Sequence, residues 1–185
     1  MRFSRFRVTS CLLFLSLFAL GADGGGGCDC NLCDDFQGTV RKQQLVQSNS
    51  NTISTIVQVD PNENDDVKNN RSKIRNGNVS KIVLQVVSLG GSNRATTIRG
   101  EIQVRPVGSG DNGWITIVSD WSEVPLLTGN QYTLRLDQTQ VQAFNQLVFS
   151  ADAGALELRI EGETDNSPVE FMFEIAVELE FQGCV

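Results

Sequence analysis

The chain has 185 residues, with 15 lysines and arginines against 22 aspartates and glutamates, for a formal net charge of −7. That balance argues against nucleic-acid phosphates and anionic lipid as partners, since both need a basic surface. There is no histidine, which excludes a Ser-His-Asp triad, a Cys-His pair and His-ligated zinc or haem, and points away from an enzyme.

Residues 1–21 read as a secretory signal peptide. Arg2, Arg5 and Arg7 precede an apolar run from Val8 to Leu20, and Ala19 and Gly21 are small residues where cleavage needs them. The run is shorter than the roughly 20 residues of a membrane span, so no span is expected in the mature form. The alternative, a lipid anchor, lacks the cysteine it needs where Asp23 stands. Residues 22–37 form a Gly/Cys-rich linker, with a flexible stretch from Gly24 to Gly27.

Cys28, Cys30, Cys33 and Cys184 remain after the leader. An even count in an exported chain favours disulfides, and the paired CxxC spacing of a four-thiolate metal site is absent. Three pairings are open. Domain termini often lie close together, so a bond from Cys184 to one member of the cluster is expected. It would close a loop of about 150 residues and stabilise by roughly 4–5 kcal/mol in the chain-entropy model.

The domain proper is expected over 38–185. Residues 38–46 and 52–59 read as a first hairpin. The polar stretch 60–70 reads as a loop with a helical turn carrying Val67 and Ile74 inward. Asp60, Asn62 and Asn64 imitate the start of an EF-hand loop, but Asp65 replaces the turn glycine and Arg71 the bidentate glutamate. A calcium site of another kind would use Asp60, Glu63, Asp65 and Asp66. Two glycosylation sequons, at Asn70 and Asn78, are what chance supplies in an Asn-rich chain.

Residues 79–88 are apolar on both faces, as in a central strand. Residues 96–105 alternate, with Ile98, Ile102 and Val104 inward and Gly100 marking a bulge. Residues 114–121 and 131–136 add two more strands, with 124–127 as a short edge. Asp137 with Gln140, followed by Val141, Phe144 and Val148 at helical spacing, predicts a short helix over 137–148 plugging one end of the fold.

The last two strands are the clearest. Residues 155–163 send Leu156, Leu158 and Ile160 inward. Residues 169–181 place Val169, Phe171, Phe173, Ile175, Val177, Leu179 and Phe181 on one face. They are expected to form a hairpin, with Ile160 opposite Phe173 and Arg159 opposite Glu174. Its outer face would gather Glu157, Glu161, Glu170, Glu174, Glu178 and Glu180, read as a solvated surface that keeps the protein soluble. Trp114, Trp121 and Tyr132 are the only tryptophans and tyrosine. They read as core or turn packing, or alternatively as a platform for stacking on a ligand.

The pattern sums to an all-β fold: an antiparallel two-sheet β-sandwich of about eight strands, Greek-key or jelly-roll-like, with one or two short helical insertions. The functional expectation is an exported, non-catalytic module with a structural, adhesive or protein-binding role. It is expected to be secreted, periplasmic or at the cell surface, with a protein or glycan partner and no cofactor. A carbohydrate- or calcium-dependent ligand-binding domain is the alternative.

Overall fold

The computed structural model describes residues 33–150 and 153–184. The expected signal peptide and residues 22–32, with Cys28 and Cys30, lie outside the described residues.

The strands lie in two antiparallel four-stranded sheets. Sheet A holds, in spatial order, β1 (Cys33–Ser48), β8 (Val169–Cys184), β3 (Ile74–Leu89) and β6 (Gln131–Leu134). Sheet B holds β2 (Thr52–Val59), β7 (Leu156–Thr164), β4 (Thr97–Pro106) and β5 (Ile115–Pro125). First pairs with last, second with seventh, third with sixth and fourth with fifth. This is a jelly roll, one long ribbon of strand pairs wrapped into two facing sheets.

The core is the space between the sheets. The inward side chains of β8 are all nearly free of solvent, from Val169 and Phe171 through Ile175 to Phe181. They meet Ile98, Ile102 and Val104 of β4 and Leu156, Leu158 and Ile160 of β7 in one apolar cluster. Val67 is fully buried from α1 (Asp65–Asn70), and Ile74 is partly buried, as the pattern requires.

Two expected hairpins do not form. β1 and β2 lie in different sheets, β1 on β8 and β2 on β7. β7 and β8 are also in different sheets, so Ile160 pairs with Ile102 and Thr55 rather than Phe173. Arg159 does not meet Glu174. It bonds Gln103, while Glu174 takes Arg41. The reason is geometric: alternation says which face of a strand is buried, and two such faces are satisfied equally by lying edge to edge or facing each other across a core. The 165–168 connection arches between sheets, its end tied by Thr164 N–H and Oγ1 donating to the Asn51 carbonyl (2.7 and 3.1 Å).

Strand boundaries also differ. β1 starts at Cys33 and β3 at Ile74, each five residues before the expected start, and 124–125 continue β5. The Gly100 bulge is present. The β4–β5 register shifts on both sides of it, and a Cβ there would sit 2.1 Å from the Glu161 carbonyl oxygen.

The helix appears as α2 (Val141–Phe149), with Phe144 and Val148 buried. Asp137 makes no capping box. Its carboxylate accepts from the Thr139 N–H (2.9 Å) and hydroxyl (2.7 Å) in a turn before the helix. α2 also covers the part of β3 that β6 is too short to reach. Asn145 Oδ1 accepts from the Val79 N–H at 2.8 Å, a backbone donor with no strand beside it. Phe149 lies over Gly77, where a Cβ would be 2.4 Å from its ring, and packs on Phe181 with centroids 6.0 Å apart.

Cys33 and Cys184 face each other across the β1–β8 ladder and form a disulfide with a sequence separation of 151. Replacing Cys184 with serine is expected to cost about 2–5 kcal/mol and to lower Tm by about 5–15 °C. Calorimetry of wild type and C184S, with and without reductant, checks it: reductant should lower the wild-type Tm towards that of C184S.

Candidate functional site

The acidic 60–71 segment is held by internal bonds. Asp60 Oδ1 accepts from the Asn62 N–H (2.9 Å) and Nδ2 (3.0 Å). Glu63 pairs with Lys42 at 2.6 Å. Asp65 and Asp66 are exposed in the first turn of α1, which Asn64 caps by accepting from the Val67 N–H at 3.1 Å. The four carboxylates thus serve separate ends. Among the described residues, no group of three or more Cys, Asp or Glu side chains is placed to hold a metal ion.

The residue that organises this segment is Arg71. Its Nε donates to Asn62 Oδ1 (2.7 Å), and Nη1 donates to the Val148 and Ser150 carbonyls (3.1 and 3.0 Å) at the C-terminal end of α2. A cation there satisfies carbonyls the helix leaves open and opposes its negative end. Burial pushes the Arg71 pKa down, against the pull of Asp60. In the sequence, Arg71 showed only as a failed EF-hand position.

The three aromatics fall in three places. Trp121 is 4% exposed, in the core beside Gly100, and its Nε1 has no partner among the described residues. The Tyr132 hydroxyl donates to the Pro125 carbonyl and accepts from Asn130 Nδ2 (3.2 Å), tying β6 to the end of β5. Trp114, half exposed like Tyr132, lies just before β5. The Arg105 and Arg159 guanidiniums lie 4.2 and 4.4 Å from its ring centroid. Arg105 in turn pairs with Glu157 (2.6 Å) and Asp111 (3.3 Å). The Trp114 ring is therefore engaged by the protein's own cations, and no shared stacking platform is assembled.

The acidic face divides in two, because β7 and β8 do. Glu157 and Glu161 point outward from sheet B; Glu170, Glu174, Glu178 and Glu180 point outward from sheet A. Most have partners: Arg41 for Glu174 (2.8 Å), Lys81 for Glu178 (3.2 Å) and Gln47 for Glu170 (3.3 Å). Ser92 also donates to Glu170 and holds its carboxyl below the usual range. Glu101 stands directly opposite Glu161, and that repulsion is offset by Gln103 donating to Glu101 (2.7 Å) and Arg159 reaching Glu161 (3.4 Å).

The most strongly perturbed carboxyl is Asp165, in the arch from β7 to β8. It accepts from the Thr96 hydroxyl (2.5 Å) and from the Thr96 and Thr97 N–H groups (2.7 and 3.0 Å), which hold its pKa down to about 2. It joins the arch to the start of β4.

No protein-family model matches the chain, and no curated protein matches it. Among solved structures, one of Desmodium yellow mottle tymovirus aligns over 92% of this chain and 96% of its own at 8% identity, with a TM-score of 0.40. One of Turnip Yellow Mosaic Virus aligns over 82% and 96% at 10% identity, with a TM-score of 0.31.

Two outcomes follow. Trp121→Ala should cost about 3–5 kcal/mol, whereas Trp114→Ala should cost about 1 kcal/mol; denaturant unfolding of the two variants checks the contrast. A carboxyl whose folded pKa is depressed stabilises fully above its unfolded value, near 4, and loses that contribution as pH falls towards its folded value. Stability should therefore decline between about pH 4 and the folded Asp165 value of about 2. Asp165→Asn should lower Tm at pH 7 and flatten the decline, as read by melts along a pH series.

Proposed function

We propose that the protein is an exported, non-catalytic jelly-roll module that works outside the cytoplasm by holding or binding a partner. The carrying observation is the Cys33–Cys184 bond, which ties the start of β1 to the end of β8 at one end of their ladder. Such a bond persists in oxidising compartments and is reduced in most cytosols. The basic and apolar leader supports the same destination. A non-catalytic role is supported by the fate of the side chains that do chemistry. With no histidine in the chain, catalysis would fall to carboxylates, and most of these are spent on cross-strand pairs, turn caps and the Asp165 anchor.

The test is fractionation of the producing cells, with thiol alkylation before and after reduction, and capture of partners on beads carrying the purified protein. The expected result is protein outside the cytoplasm, Cys33 and Cys184 blocked until reduced, and saturable retention of a surface component. Cytosolic protein with both thiols free would overturn the reading.

A further inference from the structure

The outer face of sheet A contains a shallow depression near its disulfide end. Its floor is β8 and its sides are β1 and β3, the neighbours of β8. The register lays six outward side chains there in two rows across the three strands. Gln37, Glu180 and Asn78 form one row; Asp35, Gln182 and Asn76 form the next. These six, with the half-buried Phe36, surround a volume of about 400 Å³, within the range of small-ligand sites.

The composition of these rows departs from the rest of β8. Glu174 and Glu178 each have a cation from a flanking strand. Glu180 has amides on both sides, and among the described residues no side-chain hydrogen bond or ion pair reaches it. Asn76 and Gln37 likewise have no side-chain bond among the described residues. Asp35 accepts one long bond from Gln182 (3.3 Å), and Asn78 accepts one from Asn145 (3.0 Å). Four amides and two carboxylates thus converge in a concavity with most of their hydrogen-bonding capacity unused.

That set selects a class of ligand. Amides both donate and accept, and carboxylates accept through two oxygens. A basic peptide would want more charge, and a divalent ion more oxygens from acids than two carboxylates on different rows supply. A hydroxyl both donates and accepts, and adjacent hydroxyls on a sugar ring present paired sites that a carboxylate or amide answers with two atoms at once. We infer that this depression binds a neutral saccharide directly, with Glu180 and Asn76 as its central contacts and without a metal. The inference rests on the extracytoplasmic binding role proposed above and gives it a ligand class. It also moves the expected carbohydrate contact from Trp114, Trp121 and Tyr132 to amides and carboxylates at the disulfide end of sheet A.

The test uses the purified, disulfide-bonded protein on an array of neutral oligosaccharides, followed by titration calorimetry with the strongest binder. Glu180→Ala and Asn76→Ala are each expected to weaken binding by about tenfold or more, the loss of a hydrogen bond to a charged or otherwise unpaired group. Both residues are exposed, so Tm should stay within about 2 °C of wild type. Gln85→Ala, further along the same face, should bind normally, and EDTA should change nothing. A blank array, binding that survives both substitutions, or binding abolished by EDTA would each overturn the saccharide site. A blank array from a protein shown to be exported and oxidised removes the saccharide site alone; cytosolic, reduced protein removes the broader reading.

Discussion

Everything in this fold is arranged around keeping one strand covered. β8 is hydrogen-bonded along both edges, to β1 over its whole length and to β3 over most of it. Its inward side chains are large and at most a few per cent exposed. Burying each contributes about 1.5–3 kcal/mol relative to leaving it in water. One sheet cannot bury such a face alone, so sheet B must lie across it. The jelly-roll order provides this by sending successive strands to opposite sides, except for β4 and β5, which pair within sheet B. The Cys33–Cys184 bond then fixes the open end of the β1–β8 ladder, where Phe36 stacks on Phe181 with centroids 5.3 Å apart.

The same constraint explains where the charges go. With one face of each central strand apolar, the outward positions must carry the polar residues, and like charges would face each other across neighbouring strands. Arg41 and Lys81 stand beside the glutamates of β8, and Arg105 and Arg159 beside those of β7. Exposed pairs of this kind contribute about 0–1 kcal/mol each. Their effect is on register: a one-residue slip would put an apolar row outside and leave carboxylates facing the core.

What was legible in the sequence was whatever a single strand or turn determines alone. The faces of β7 and β8, the Gly100 bulge, inward Val67 and the helix around Phe144 follow from period, turn residues and bulk. Partnership does not. The Asp165–Pro168 stretch suits a tight hairpin by composition, yet Asp165 spends its carboxylate on Thr96 and Thr97 and carries the chain across the core. Cysteine pairing was open among three arrangements until the β1–β8 register put Cys33 opposite Cys184. The six-residue depression was invisible for the same reason. Its rows draw on strands far apart in the chain, and each member alone reads as an ordinary surface amide or acid.

Edge protection completes the argument about surfaces. A jelly roll leaves edges at β1 and β6 in one sheet and at β2 and β5 in the other, and open edges invite pairing with other chains. Here Glu63 reaches from the α1 side to Lys42 of β1, and Asn64 packs at Gly38, where a Cβ would be 2.8 Å from its side chain. Tyr132 binds the β6 edge to the end of β5, and α2 covers the rest of β3 through Asn145 and Phe149. Arg71 holds the two covering pieces together by bridging Asn62 to the end of α2. The helical insertions therefore cover strand edges, and the outward faces of the two sheets are left uncovered by them. On those faces Glu180 is the glutamate of β8 that, among the described residues, takes no side-chain bond from its neighbours, so the proposed saccharide contact lies on the same strand that organises the core.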